Sequence, residues 1–442
     1  MEFMTETPMA VTIAPRAHPA PRLRECPVCG QFQTMPVLRQ RGAACCVRCA
    51  SLLRQDRTDP AGRTLALATA ALLLFALAAT LPLMSLDLGA GRRITLVAGP
   101  EALDKSGMWA LGLVVLATTM LAPLLKLLAT IWVMLGIRLC EVGQAPGDST
   151  AGTPQAPGSL IAVFRSVEWL QPWSMVEVFM LGVFVAYTKL SELAPVRVGG
   201  AVYALGALML LMAATDAVLD HEAIWERLEP AGLELRPQPA PALRIGCDAC
   251  GEVSDGSDRD AGGRPCCPRC FTRLRFRKPQ SLSRGWALTA AAAVLYIPAN
   301  TLPVLTVIRL GQGAPATILE GVDELARAGQ WPLAALVFVA SIAVPLLKLG
   351  GLAILLLTTQ LRMRSQLAER TRLYKIVEAV GRWSMIDVFM ISILTALVQM
   401  GTLASVTPGP GALCFGAVVI LTMLAAGSFD PRLMWDAAMQ RR

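Results

Sequence analysis

Long apolar runs separated by polar, arginine-rich segments dominate the sequence. Eight runs are long enough to cross the roughly 30 Å hydrocarbon core of a membrane as helices, namely 64–86, 109–137, 167–189, 198–219, 286–308, 331–358, 383–402 and 411–428. Composition supports this interpretation, because 54% of the residues are hydrophobic and 16% are charged, against about 25% charged in soluble domains. The pattern predicts an all-α polytopic membrane protein with about eight spans.

The distribution of positive charge predicts the orientation of the spans. Lysine and arginine are frequent in 1–63, 220–285 and 359–382 but sparse in 190–197 and 403–410. Because basic residues accumulate at the cytoplasmic ends of spans, both termini are expected in the cytoplasm. No cleaved signal peptide is expected. The basic residues flank the spans, and they are not accompanied by an aromatic-rich motif of the kind that binds nucleic acids. Nucleic-acid binding is therefore not expected.

An internal repeat covers most of the chain. Two pairs of cysteines and the tetrapeptide PLLK occur in each half, and WSMVEVFM, which begins at Trp173, recurs as WSMIDVFM, which begins at Trp383. Each half therefore consists of a small cysteine module followed by four spans. Because four is even, both halves enter the membrane in the same direction, which predicts parallel repeats related by an axis along the membrane normal.

These features divide the chain into seven predicted segments. They are a disordered N-terminal tail (1–20), a first zinc ribbon (21–60), a first transmembrane bundle (61–220), a linker (221–240), a second zinc ribbon (241–280), a second transmembrane bundle (281–430) and a cytoplasmic tail (431–442). The outer loops 87–108 and 309–330 each carry a short apolar stretch, which is compatible with either a strand or a re-entrant turn.

The cysteine spacing predicts two metal sites. Both modules read C-x2-C-x16-C-x2-C, in which each C-x2-C turn offers two sulfurs to one tetrahedral ion. Cytoplasmic placement disfavours the alternative of disulfides. Zinc is favoured over iron because nothing else in the sequence indicates redox work. The expected ligands are Cys26, Cys29, Cys46 and Cys49 in the first module and Cys247, Cys250, Cys267 and Cys270 in the second.

Cys45 and Cys266 each directly precede the third expected ligand. They are compatible with spare buried thiols, alternative ligands or redox-active groups. Because sulfur fills all four expected positions of each site, no coordination position stays open for catalysis. The ribbons are therefore expected to be structural or docking elements.

Two lysines lie inside apolar runs. Lys126 is 12 residues from Arg138, about 18 Å along a helix, which is too far for its side chain to reach interfacial water. A charge near the middle of a bilayer costs about 3 kcal/mol or more and usually faces a partner or a wet cavity. If the third span of each half is one helix, an acidic residue lies at matching depth, which predicts the pairs Lys126 with Glu177 and Lys348 with Asp387.

Prolines one turn before these lysines add further polar groups. Pro123 and Pro345 cannot donate to the carbonyls of Thr119 and Ser341, and the hydroxyl groups at those two positions offer partners for the freed carbonyls. We therefore expect an intramembrane polar network in each bundle. The alternative is that each pair only pins its helices together.

Motifs typical of common enzymes are missing from the sequence. It contains no Gly-x-x-x-x-Gly-Lys-Ser/Thr phosphate loop, no Gly-x-Ser-x-Gly elbow and no His-Glu-x-x-His helix. An enzyme is not expected.

The duplicated ribbon and four spans, with PLLK in the second span and W-S-M-[VI]-[ED]-V-F in the third, resemble the paraquat-inducible protein A family of bacterial inner-membrane proteins. The resemblance implies zinc at the eight cysteines and a transport role for Lys126, Glu177, Lys348 and Asp387. It also implies an MCE-domain tunnel protein in the periplasm as partner, as in the lipophilic envelope-spanning tunnel system, and phospholipid as cargo.

The resulting hypothesis is a component of the Gram-negative inner membrane that loads phospholipid into a periplasmic MCE tunnel or unloads it. Two alternatives stay open. One is a membrane-anchored zinc or thiol redox sensor, and the other is a secondary transporter of lipophilic compounds.

Overall fold

A computed structural model describes residues 22–36, 42–55, 60–86, 92–142, 158–191, 196–230, 233, 239–309, 312–398 and 404–439. The segment 1–20, expected as a disordered tail, lies outside these residues. In the first half, the elements in chain order are β1 (Leu23–Glu25), β2 (Phe32–Thr34), β3 (Ala43–Cys45), β4 (Leu52–Gln55), α1 (Pro60–Thr80), β5 (Met84–Leu86), β6 (Arg92–Ile94), α2 (Ala98–Lys105), α3 (Trp109–Leu116), α4 (Ala122–Val142), α5 (Gly158–Leu170), α6 (Val176–Ser191), β7 (Val196–Val198), α7 (Gly200–Val218) and α8 (His221–Arg227).

The second half repeats this order. Its elements are β8 (Ile245–Gly246), β9 (Val253–Ser254), α9 (Ser281–Thr301), β10 (Leu305–Arg309), β11 (Gln312–Ala316), α10 (Ile318–Arg327), α11 (Trp331–Phe338), α12 (Val344–Gln360), α13 (Leu367–Val380), α14 (Ile386–Leu397), β12 (Ala404–Pro408), α15 (Pro410–Ser428) and α16 (Arg432–Met439). We call 22–55 ribbon 1, 245–277 ribbon 2, α1 to α7 bundle 1, and α9 to α15 bundle 2.

Seven helical segments in the described part of the chain are long and apolar enough to cross a membrane. They correspond to seven of the eight expected spans, and the protein is a multi-pass membrane protein. The remaining expected span, 286–308, overlaps α9, a 21-residue helix that is less apolar than the seven, but its last residues form β10 instead of helix. α9 packs against α15 as α1 packs against α7, so α9 takes the position of the first span in bundle 2.

The second span of each bundle is interrupted just before its proline. A π-helical turn at Ala117–Leu121 joins α3 to α4, and a second one at Val339–Ala343 joins α11 to α12. Because Pro123 and Pro345 have no N–H to donate, the wider turn accommodates the unpaired carbonyl without ending the span.

The third span of each bundle is broken, so a single continuous helix does not form there. A 3-10 turn at Gln171–Trp173 separates α5 from α6, and another at Gly381–Met385 separates α13 from α14. Pro172 lies inside the first turn and removes a helical hydrogen bond. Glu177 and Asp387 therefore lie in the first turn of a half-helix rather than in the middle of a long helix.

Short strands form in the loops after the first span of each bundle, which settles the choice between strand and re-entrant turn. The sheet order is β6-β5-β7 in the first half and β11-β10-β12 in the second. In each sheet the strand that follows the first span pairs antiparallel with both neighbours, as in Met84 opposite Ile94 and Val198. The helices α2 and α10 follow these strands.

The two bundles meet where α6 packs against α14. Phe179 and Phe389, which occupy equivalent positions in the repeat, make an edge-to-face contact with ring centroids 5.6 Å apart. A Cβ on Gly182 would lie 2.9 Å from the Cβ of Phe389, so this glycine allows the close approach. Equivalent residues of two repeats meet at the symmetry axis that relates the repeats. The contact is therefore consistent with the predicted axis between two parallel repeats.

Every residue of α14 is buried. This helix contacts α2, α3 and α6 of bundle 1 as well as α15 of its own bundle. The third span of the second repeat is therefore the centre of the intramembrane core.

The segments expected as a linker and a tail contain short packed helices. α8 follows bundle 1 directly, and its Trp225 is 2% exposed. α16 follows bundle 2, and its Trp435 is 6% exposed. Counted from the Trp173 and Trp383 motifs, the two tryptophans occupy equivalent positions in the repeat.

Candidate metal sites and intramembrane polar site

The four expected ligands of each ribbon come together. In both groups the four sulfur atoms lie within 4.8 Å of one another. In ribbon 1 the separations are 3.5 Å for Cys26 Sγ to Cys49 Sγ and for Cys29 Sγ to Cys46 Sγ. Ribbon 2 repeats both distances between Cys247 and Cys270 and between Cys250 and Cys267.

Each C-x2-C turn is closed by a tight backbone loop. The amide of the residue after the second cysteine donates to the carbonyl of the first, as in Gly30 N to Cys26 O at 2.9 Å. The closing residues Gly30, Ala50, Gly251 and Phe271 all adopt positive φ. Only glycine takes that conformation freely, so the turns at Ala50 and Phe271 are strained and need support from the sulfur group.

The donor set and its geometry fit a tetrahedral metal ion. Zn²⁺ about 2.3 Å from each of four thiolates separates the sulfurs by about 3.8 Å, close to the observed spacing. Seven of the eight sulfur-bearing residues are buried, and Cys49 is half-buried. Each group can hold one metal ion, and the all-sulfur set is consistent with zinc.

The two extra cysteines differ from each other. Cys45 is exposed at the end of β3, whereas Cys266 is buried, and neither belongs to a four-sulfur group. The interpretation of these residues as ligands loses support, because each site is complete without them.

Lys126 pairs with Asp216 and not with Glu177, so the expected pairing is wrong. Lys126 Nζ lies 2.7 Å from Asp216 Oδ1 and 2.8 Å from Oδ2, and the lysine side chain is 5% exposed. Glu177 is exposed on α6. The break before α6 shifts Glu177 away from the lysine, and the partner comes from the last turn of α7 instead.

Asp216→Asn is expected to destabilise bundle 1 by about 3 kcal/mol, because it leaves a buried ammonium without its counter-charge. The replacement should lower the thermal unfolding midpoint of the purified protein. Lys126→Met combined with Asp216→Leu should cost less than Asp216→Asn alone, since no buried charge then stays unpaired. A destabilising Glu177→Gln together with a neutral Asp216→Asn would contradict this pairing.

Lys348, the counterpart of Lys126, binds neutral groups. Its Nζ donates to Thr422 Oγ1 at 2.7 Å and to Gly381 O at 3.3 Å, and the residue is 2% exposed. Gly381 lies at the break before α14, so the lysine caps a carbonyl that the break frees. No ion pair joins Lys348 to Asp387 in the part of the chain that the structure describes, so the second expected pairing is also wrong.

Asp387 is a buried acid that lacks a full set of partners. The residue is 5% exposed, and its Oδ2 has no hydrogen-bond partner among the described residues. Ser341 lies beside the carboxyl group, but its own hydroxyl makes no well-aligned hydrogen bond there. Such a carboxyl group inside a membrane protein is stable only when it is protonated, hydrated or met by a cation.

The two hydroxyl residues expected beside the prolines also behave differently. Thr119 Oγ1 donates to Val115 O at 2.7 Å, one turn back, and therefore does not reach the carbonyl that Pro123 frees. Ser341 points into the region of Asp387. Thr119 thus belongs to its own helix, and Ser341 belongs to the polar site of bundle 2.

The repeat explains why the two bundles differ. Counted from Trp173 and Trp383, Asp216 corresponds to Ala426, and Thr422 corresponds to Met212. Bundle 2 therefore lacks the acid that neutralises the lysine of bundle 1. Asp216 lies two residues from the end of its helix, where surface solvation also explains an acid, although an aspartate in an apolar span is a visible signal of a buried partner.

Comparison with known proteins identifies the family. A model of the paraquat-inducible protein A family matches residues 61–229 and 282–439. The chain belongs to this family. The two matched stretches of the paraquat-inducible protein A model cover both bundles with α8 and α16, and the four-sulfur groups lie outside them.

Curated relatives extend over most of the chain. The intermembrane transport protein PqiA of Escherichia coli K12 is 33% identical over 418 residues, which are 93% of this chain and 95% of that protein. The lipophilic envelope-spanning tunnel protein A of the same organism is 32% identical over 416 residues, 94% of this chain and 91% of that protein. No solved structure matches the chain. Membership of the paraquat-inducible protein A family, predicted from the sequence motifs, is confirmed.

Proposed function

We propose that the chain is an inner-membrane component of a phospholipid transport system that loads lipid into, or unloads it from, an MCE-domain tunnel in the periplasm. Relatives that align over more than nine-tenths of this chain are named for intermembrane transport and for an envelope-spanning tunnel. The ribbons and both termini would face the cytoplasm, as the basic segments beside them favour. The zinc sites would be structural, since four sulfurs fill each one.

The observation that carries the proposal is the incompletely partnered Asp387 in the buried core of bundle 2. Bundle 1 holds a neutralised ion pair at the matching lysine, and this pair supports a static structural role for that bundle. Among the described residues of bundle 2, neither the lysine nor the acid forms an ion pair, and Asp387 interacts electrostatically only at longer range with Lys189 of α6. A site of this kind can change its protonation state when the bundle opens, whereas a closed ion pair resists change.

The mechanism that we propose is a latch at the break before α14. With Asp387 protonated, α14 is neutral at its start and packs fully, and the burial of the whole helix supports this state. When water reaches the break, the carboxyl group releases its proton to that water, and Lys348, which donates to Gly381 O at the same break, would move to stabilise the carboxylate. Movement of α14 against α6 and α15 would then open a path for a lipid acyl chain.

Lipid bound to the purified chain tests the proposed cargo. Native mass spectrometry of the full chain, released from nanodiscs that contain phosphatidylethanolamine and phosphatidylglycerol, should show phospholipid adducts. A lipophilic small molecule in place of phospholipid would favour the secondary transporter instead. Unchanged cargo and envelope function in a chain with Cys45→Ser and Cys266→Ser would count against a thiol sensor.

A further inference from the structure

Ribbon 2 belongs to the second half of the chain but packs against the first bundle. Its four metal-site cysteines form one hydrophobic cluster with Val133 and Ile137 of α4, Leu160 and Phe164 of α5, and Trp225 of α8. Arg165 of α5 donates to Thr272 Oγ1 of the ribbon at 3.2 Å. The end of bundle 1 formed by the last part of α4 and by α5 is therefore covered by ribbon 2, which belongs to the other repeat.

Ribbon 1 shows the reciprocal arrangement. Cys26, Cys29 and Cys46 form one cluster with residues of bundle 2 and α16, which are Leu355, Leu356, Tyr374, Phe429, Met434 and Trp435. The guanidinium group of Arg48 stacks on Trp435 at 4.4 Å from the ring centroid. Each ribbon thus packs its metal-site cysteines against the bundle of the other repeat, while ion pairs such as Arg54 with Glu226 at 3.0 Å also join ribbon 1 to α8 of its own repeat.

Two equivalent positions of opposite charge, on α8 and α16, connect the two ribbons to each other. Glu222 of α8 pairs with Arg24 of ribbon 1 at 2.6 Å and with Arg269 of ribbon 2 at 3.2 Å. Arg432, its counterpart on α16, pairs with Glu25 of ribbon 1 at 3.4 Å and with Asp248 of ribbon 2 at 2.8 Å. Each short helix therefore joins both ribbons.

The charge reversal makes the two docking positions distinct. Burial acts to raise the pKa of Glu222, yet the guanidinium groups of Arg24 and Arg269 hold that pKa below its ordinary value. An arginine at this position would face two further arginines. If α8 and α16 took each other's places, like charges would meet in these buried contacts. This repulsion disfavours such an arrangement.

The ribbons also contact each other directly. Glu25 Oε2 accepts a hydrogen bond from Gly246 N of ribbon 2 at 3.0 Å, and β1 packs against β8 and β9. Glu25 is 7% exposed, so this contact is at the centre of the interface between the ribbons. A displacement of either ribbon must strain the other one.

We propose that the two ribbons form a crossed interlock, in which each ribbon holds the end of the bundle of the other repeat, so that the two bundles change conformation together. The interlock does not depend on which molecule the protein transports. It assigns positioning roles to Glu222 and Arg432, which act through the ribbons and not on a cargo. It also explains why a pair of small metal sites would be useful in a transporter, because a metal-closed module is a rigid connection between moving parts.

Hydrogen exchange on the full-length protein in nanodiscs tests the crossing. Cys29→Ser opens the metal site of ribbon 1, and Cys267→Ser opens that of ribbon 2. The crossed arrangement predicts exchange that is roughly tenfold faster in α13 for Cys29→Ser and in α5 for Cys267→Ser, with the other bundle changed less. These two helices pack against the ribbon of the other repeat, whereas α8 and α16 contact both ribbons. Faster exchange confined to the bundle of the same repeat, or equal in both bundles, would overturn the interlock.

A second pair of variants leaves the sulfurs in place and covers the case that a cysteine variant does not accumulate. Arg48 and Arg269 occupy the same position in their C-x2-C turns. Arg48→Met removes the stacking on Trp435 and should speed exchange in α16. Arg269→Met removes the contacts with Glu222 and Glu229 and should speed exchange in α8. The reverse assignment would overturn the interlock, as would an unchanged exchange rate in both variants.

Discussion

Asp387→Asn is expected to abolish the envelope function of the protein while its level in the membrane stays unchanged. The substitution keeps the size of the side chain and its capacity for hydrogen bonds, but it removes the group that can change charge in the buried core of bundle 2. Lys348→Ala should have the same effect, since it removes the ammonium group that caps Gly381 and contacts Thr422. The measurement is growth on detergent of a strain in which the plasmid-borne variant is the only copy.

Glu177→Gln is the matched control, because Glu177 occupies the equivalent position in bundle 1 and is exposed. It should retain growth close to that of the unmodified chain. Quantification of the protein in isolated membranes separates mechanism from folding. Loss of Asp387→Asn from the membrane would favour a purely structural role, and equal growth defects for Asp387→Asn and Glu177→Gln would contradict the assignment of the working site to bundle 2.

Cys267→Ser is expected to remove one of the two metal ions and to lower the amount of protein that accumulates. Cys267 is 0% exposed and belongs to the four-sulfur group of ribbon 2. A structural zinc site contributes on the order of 10 kcal/mol to the folding of a small module, so one lost thiolate is sufficient to unfold the ribbon. Metal analysis of the purified chain should fall from about two zinc ions to about one, as the two sites are separate.

Cys266→Ser provides the control one residue away. Cys266 lies outside the four-sulfur group, so this variant should keep both ions and normal abundance. Iron in the purified protein would contradict the choice of zinc. Loss of a metal ion from the Cys266→Ser variant would show that Cys266 is an alternative ligand.

Local patterns in the sequence were sufficient to predict the spans, the ribbons and the repeat. Apolar runs reflect the thickness of the membrane, and the C-x2-C spacing reflects the reach of two sulfurs toward one ion. Both depend on residues close together in the chain. The unpaired carbonyls before Pro123 and Pro345 were predicted in the same way from a missing N–H, but the π-helical turns that accommodate them were not.

The pairing of the buried charges could not be predicted in this way. The estimate of depth assumed that each third span is one helix, but the 3-10 turns at Gln171–Trp173 and Gly381–Met385 place Glu177 and Asp387 differently. Asp216 then becomes the partner of Lys126 through the packing of separate spans. A partner from another element depends on tertiary geometry, which the periodicity of one helix does not contain.

The crossing of the ribbons is a second feature that the sequence did not reveal. The order of segments suggested that each ribbon accompanies the bundle that follows it. The packing of Cys267 of ribbon 2 in one cluster with Phe164 of α5, and of Cys26 of ribbon 1 in one cluster with Tyr374 of α13, reverses that expectation. Residues far apart in the chain form these contacts, and no local pattern in the sequence indicates them.

Phospholipid transfer by the reconstituted protein is the most direct measurement of the central claim, which is that lipid movement depends on the polar site of bundle 2. Proteoliposomes with a fluorescent phosphatidylethanolamine and an MCE-domain acceptor would report the rate of transfer for the unmodified chain, Glu177→Gln and Asp387→Asn. The account predicts transfer above the protein-free background for the first two chains and background transfer for Asp387→Asn. Equal transfer by all three chains, or none by the unmodified chain, would contradict it.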